Sequence, residues 1–159
     1  MKYVNTGVVF QEIPDETTLS INISNCPCHC MGCHSEYLWD DVGMPLNVMS
    51  LKPMLDEYGE DVTCVAFMGG DAEPREVDVL AAYVKKNYPH LKTAWYSGYS
   101  DISKQIHLKN FDFVKVGPYV QRLGGLNHET TNQRLYKVEN GKDLVDITSR
   151  FWKKRWDED

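Results

Sequence analysis

The chain has 159 residues, of which 42% are hydrophobic, enough to bury a core of its own, and it is read as one domain spanning 1–159. Its formal net charge of −6 argues against a protein that tracks nucleic-acid phosphates. No apolar run reaches the roughly 20 residues that cross a bilayer, and residues 1–10 lack the pattern of a signal peptide, so a cytoplasmic, membrane-free location is expected.

In chain order, Leu19, Ile21 and Ile23 alternate with Ser20 and Asn22, the pattern of a half-buried strand that runs straight into Cys26. "MSLKPMLDEYGE" (49–60) predicts a helix with Ser50 as N-cap, Pro53 in its first turn and Gly59 near its stop. "VTCVAFM" (62–68) is a continuous apolar run suited to a strand buried on both faces. Helical spacing follows through Val77, Leu80, Ala81, Val84 and Tyr88, ending before Pro89. "LKTAWYS" (91–97) predicts a strand, "DISKQIH" (101–107) a short helix and "FDFVKV" (111–116) another strand. This alternation implies parallel strands joined by crossovers. About four such units fit, too few for an eight-unit barrel, so an α/β partial barrel, laterally open, is expected. Beyond Pro118 the pattern breaks into an irregular C-terminal extension, with a hairpin around "ENGK" (139–142). Phe151, Trp152 and Trp156 are expected to form a helix face docked on the barrel.

The chemistry concentrates in "CPCHCMGCHSEYLWD" (26–40), where four of the five cysteines fall within eight positions. In a reducing compartment such crowding points to metal or redox chemistry rather than disulfides. Four thiolates on zinc usually come as two separated pairs, which this loop does not provide. Cys26, Cys30 and Cys33 give C-x₃-C-x₂-C. Three thiolates on a [4Fe–4S] cube leave one iron open to a ligand. Cys28 is the spare thiol of the loop, and Cys64 is read as core.

That spacing, after the first parallel strand, resembles the radical S-adenosylmethionine (SAM) superfamily, and "GGDAEP" (69–74) is similar to its Gly-Gly-Glu-Pro motif. Gly32 before the last cysteine, Trp39, "SGY" (97–99) and "TTNQRLYKV" (130–138) resemble the anaerobic ribonucleoside-triphosphate reductase activating proteins. Two departures are Met31 in place of a proline and Val116 where many relatives carry an aspartate. The resemblance implies a [4Fe–4S] cluster on Cys26, Cys30 and Cys33 and SAM bound at the open iron. It implies cofactor contacts from Gly69, Gly70, Asp71, Ser97 and His34, with either Asp71 or Glu73 meeting the SAM amino group. Asn132, Gln133 and Arg134 would cap the barrel or anchor SAM or the partner, and Lys115 would meet the SAM carboxylate.

The implied activity is reductive cleavage of SAM and formation of a glycyl radical on the large subunit of anaerobic ribonucleoside-triphosphate reductase. The electron would come from a donor such as a flavodoxin. The competing readings are another small radical SAM enzyme (an activase for a different glycyl-radical partner or a deazaguanine synthase) and a metal or iron–sulfur module without SAM chemistry. The Asn-Gln-Arg segment disfavours the first, and Gly69, Gly70 and Asp71 are left unexplained by the second.

Overall fold

The structure, a computed structural model, describes residues 1–33 and 35–152. In chain order the elements are β1 (Lys2–Val9), β2 (Thr18–Ile23), β3 (Met44–Pro45), α1 (Val48–Tyr58), β4 (Cys64–Met68), α2 (Pro74–Asn87), β5 (Lys92–Tyr96), β6 (Phe113–Val116), β7 (Arg134–Glu139) and β8 (Asp143–Asp146). The strands form one eight-stranded mixed sheet in the order β3-β1-β2-β4-β5-β6-β7-β8. Its centre, β2-β4-β5-β6, is parallel, and an antiparallel pair flanks it on either side.

Strand alternation divides the side chains between two cores. Leu19, Ile21, Val65, Phe67, Trp95 and Val114 meet the apolar stripes of α1 and α2 on one face. Cys64, Ala66, Ala94, Phe113 and Leu135 form a smaller cluster on the other face, covered by Ile13, Ile147 and Phe151. Register then sets a row across the uncovered end of that inner face. Asn22 pairs with Met68, Met68 with Tyr96, and Tyr96 with Lys115. The row lies at the carboxyl ends of the parallel strands, where ligands of such sheets collect.

Several local expectations shift. Helix α1 begins two residues before Ser50: Asn47 is its N-cap, accepting the Ser50 amide at 3.1 Å, while Ser50 Oγ accepts the Asn47 amide at 3.0 Å. Pro53 therefore sits in the second turn. The carbonyl it leaves without a donor belongs to Met49, which is 86% exposed and open to water.

No helix forms over 101–107. Ser103 Oγ takes the Gln105 amide, and buried Asp78 of α2 takes the His107 amide at 2.8 Å and the His107 ring at 2.7 Å. Seven residues are too few to nucleate a helix against that competition. A 3₁₀ turn at Leu108–Asn110 follows instead, so the expected strand–helix units reduce to two helices on one sheet.

The hairpin stands as expected, with Asn140 and Gly141 at φ +56° and +70° turning β7 into β8. Thr148–Phe151 is a 3₁₀ turn rather than a longer helix, Phe151 packs on the inner core, and Trp152 Nε1 donates to the Leu126 carbonyl at 3.1 Å. Trp156 lies outside the described residues.

Candidate metal centre at the cysteine loop

The cysteine loop leaves the carboxyl end of β2 and is tied shut at its base. The Asn25 amide donates to Asp40 O at 3.0 Å and the Cys26 amide to Leu38 O at 2.9 Å. Between these ties the chain turns through left-handed residues, Asn25 at φ +61°, His29 at +43° and Gly32 at +76°. His29 stacks on Trp39, centroids 4.7 Å apart, bracing one arm of the loop on the other. Gly32 suits a left-handed backbone, and a Cβ there would lie 3.0 Å from the end of the Gln121 side chain, which would have to move aside. Gln121 belongs to the loop after β6, so that loop closes over the cysteines at this point. One glutamine among polar residues gives no periodic signal, so nothing in the sequence marks Gln121.

All four loop thiols are half-buried, and none is in a disulfide. The Cys30–Cys33 turn is closed by the Cys33 amide on the Cys30 carbonyl at 3.0 Å. Cys33 Sγ in turn accepts the Ser35 amide at 3.3 Å, a contact that stabilises sulfur carrying negative charge. Among the described residues, no group of three or more His, Cys, Asp and Glu side chains stands ready to hold a metal ion. Three thiols within eight positions, one already supplied with an amide donor, fit the donor set of an iron–sulfur cluster.

Asp71 reaches this loop from the turn after β4. It is 7% exposed; its Oδ1 accepts Ser97 Oγ–H at 2.5 Å and its Oδ2 accepts the Gly98 amide at 2.8 Å. Cys28 Sγ stands 3.7 Å from the same Oδ2. Burial, then Asp71, then Cys26 push the Cys28 thiol well above its ordinary range, so it is held protonated. A Cβ on Gly98 would lie 2.6 Å from that sulfur, so Cys28 is packed directly on the turn after β5. Tyr99 lines the same corner, its phenol raised by burial, Cys28 and Asp71.

Lys115, in the inner-face row, donates to the carbonyls of Gly117 at 2.8 Å and Ser97 at 3.1 Å. Burial pulls its ammonium down to about 8, against the opposing pull of Asp71 and the loop thiols. Asp71, Ser97, Lys115 and the cysteine loop are thus brought together. One cavity adjoins Asp71 and Ser97, and a second is lined by neither of them, nor by Lys115 or the cysteine loop. The first, of about 580 Å³, is lined by Asp71, Ser97, Tyr99 and residues 100–104. The second, of about 960 Å³, lies over the inner face between Met68, Tyr96, Phe10, Leu126, Phe151 and Trp152.

Glu73 points elsewhere, pairing with the Met1 ammonium at 3.1 Å. The glycine pair is closely packed. A Cβ on Gly70 would stand 2.5 Å from Val77 Cγ2 of α2, and one on Gly69 would stand 3.1 Å from the Ile23 carbonyl. The Gly69 carbonyl is also taken, by Trp95 Nε1 at 2.7 Å. With φ of +112° and +92°, both glycines are demanded by the turn and its packing on α2. Gly70→Val should therefore cost about 1–3 kcal/mol of stability through overpacking alone, before any backbone strain. Denaturant unfolding of the variant checks this, and an unchanged midpoint would show that the turn has room.

Asn132 and Arg134 are not brought to the loop. Asn132 Nδ2 donates to Pro118 O at 3.0 Å, and Arg134 lies 3.6 Å from Asp146 on β8. By strand alternation Arg134 shares its face with Tyr136 and Val138, which pack in the helix-side core, opposite the face of Lys115. His34 lies outside the described residues.

Residues 16–138 match the model of the 4Fe-4S single cluster domain family. The chain belongs to that family. Neither curated proteins nor solved structures gave a match. As a 4Fe–4S single cluster domain, the chain must draw the cluster's thiolates from the loop, because its fifth cysteine, Cys64, is wholly buried between β2 and β5. Burial raises the Cys64 thiol further, leaving it inert core. Among the described residues, no helix is long and apolar enough to cross a membrane.

Proposed function

We propose that this chain is a radical SAM activase that generates a glycyl radical on an anaerobic ribonucleotide reductase. The observation that carries the reading is the placement of the C-x₃-C-x₂-C loop at the end of β2, with the Asp71 carboxylate of the next parallel strand turned toward it. On this reading β2, β4, β5 and β6 are the wall of a partial, laterally open barrel, and the inner face is its lumen.

Cys26, Cys30 and Cys33 hold the cluster. When bound, the cluster supplies an open iron for SAM and the single electron that splits it into methionine and a 5′-deoxyadenosyl radical. Asp71, fixed by Ser97 and Gly98, receives the SAM amino group; Glu73, already paired, does not. The loop after β6 meets the cysteine loop where Gln121 lies beside Gly32. On this reading an extended glycine-bearing segment of the reductase docks along the inner face, where a cavity lies beside Met68 and Tyr96.

The test is anaerobic reconstitution with iron and sulfide, followed by dithionite and SAM. Methionine and 5′-deoxyadenosine should form in equal amounts. A cluster that is reduced and reoxidised without consuming SAM would make the protein an electron carrier instead.

A further inference from the structure

The Trp39 ring is half-buried, yet its Nε1 is shut off from water and has no acceptor among the described residues. The other buried side-chain atoms left without a partner there, Glu16 Oε1 and Thr18 Oγ1, lie at or just before the amino end of β2, the end opposite the cysteine loop. A buried N–H with nothing to donate to forfeits the hydrogen bond it made to water, and each such group in a folded protein calls for a reason. Phenylalanine would stack on His29 without burying a donor.

The chain fixes the indole within the cysteine loop. Leu38 and Asp40, on either side of Trp39, take the Cys26 and Asn25 amides at 2.9 and 3.0 Å. The ring lies on His29, which stands between Cys28 and Cys30 in the chain, with centroids 4.7 Å apart and planes inclined by 10°. The unused donor is therefore held against the segment that supplies the thiolates. What a bound cluster adds to that segment is sulfur, as ligand thiolates and as sulfides, all acceptors carrying negative charge. An N–H···S bond is already part of the site, from the Ser35 amide to Cys33 Sγ at 3.3 Å.

We infer that the Trp39 indole N–H donates to a sulfur of the bound cluster, a cysteine thiolate or a sulfide, and thereby raises the cluster's reduction potential. The inference rests on the loop holding the 4Fe–4S cluster of this family and does not depend on SAM. Reduction adds an electron to the cluster, so a donor on its sulfur stabilises the reduced state more than the oxidised one.

The test uses the full chain, reconstituted anaerobically with iron and sulfide and without SAM. Wild type is compared with Trp39→Phe and with Trp39→benzothienylalanine, whose ring keeps the shape of indole but has sulfur in place of the N–H. Redox titration gives the midpoint potential, iron analysis the cluster content, and denaturant unfolding the stability of the apoprotein. Both variants should shift the one-electron reduction equilibrium roughly three- to tenfold toward the oxidised cluster, a midpoint about 28 to 59 mV lower, with iron content unchanged. The benzothienyl apoprotein should unfold at or above the wild-type midpoint, because no hydrogen bond is lost there. Where phenylalanine disturbs the loop, the benzothienyl variant decides alone.

A potential equal to wild type in the benzothienyl protein would overturn the inference, even beside a drop with phenylalanine, since Trp39 would then act through the shape of its ring. A benzothienyl apoprotein weaker than wild type would give the N–H an acceptor within the chain and overturn it as well. So would loss of iron from the benzothienyl protein, since the N–H would then serve assembly rather than potential. A wild-type chain that assembles no cluster would bring down the cluster reading itself, and the inference with it.

Discussion

Alanine at Cys26, Cys30 or Cys33 should reduce bound iron from about four atoms per chain to background and abolish SAM cleavage, whereas alanine at Cys28 should keep both. The sheet should survive each change. Neither hydrophobic core includes a cysteine of the loop, so losing one of those thiols removes no side chain that packs α1 or α2 onto the strands. The contrast between Cys28 and the other three has a structural basis. Cys28 is committed to the turn after β5, against Gly98 and 3.7 Å from the Asp71 carboxylate, in surroundings that hold it protonated. Cluster ligation needs a thiolate. Cys33, by contrast, already accepts an amide. Iron and sulfide analysis with visible absorption decides the matter for each variant. A Cys28→Ala protein without iron, beside one of the other three that retains it, would move the ligand set onto Cys28.

The parallel core of the sheet was readable because its residues are sorted by burial. Val65 and Phe67 face one core while Cys64 and Ala66 face the other, so the whole segment is apolar, and the stripe of α2 repeats at helical spacing. β1 escaped notice for the opposite reason. It lies between β2 and the two-residue β3, most of its residues are only half-buried, and so its sequence carries little alternation. The missing helix at 101–107 depended on Asp78, more than twenty residues earlier, which no local pattern reveals.

Within the site, spacing alone marked the cysteines, since ligand identity is written in residue type. The direction of a carboxylate is not. Asp71 and Glu73 sit two residues apart, and only the fold turns one to the thiols and the other to the Met1 ammonium. Glycine likewise signals a tight backbone without saying what presses on it. At Gly70 the neighbour is Val77 of α2.

With the matching reductase present, reduced protein and SAM should yield a carbon-centred radical on the partner, a doublet in electron paramagnetic resonance from the one remaining α-hydrogen of a glycine. The expectation follows from the inner face. The larger cavity, about 960 Å³, is walled by Phe10, Leu126, Phe151 and Trp152, all from segments outside the sheet, together with Met68 and Tyr96 of the inner-face row. On the proposed reading the primary radical forms beside the cysteine loop and needs a hydrogen donor delivered into contact, and an extended backbone segment laid along the inner face has both the shape and the weak α-C–H bond. Deuterium placed at the target glycine's α-carbon should therefore appear in 5′-deoxyadenosine, which separates direct abstraction from a relay through a protein side chain. Alanine in place of that glycine should remove the doublet while slow, uncoupled SAM cleavage continues. Filling the cavity from this side, by Leu126→Trp, should lower the radical yield several-fold and leave SAM cleavage without the partner unaltered, because Leu126 touches the cavity and not the cysteine loop. A reductase that stays diamagnetic while a small metabolite accelerates SAM consumption would turn the inner cavity into a substrate pocket and the protein into a small-molecule synthase.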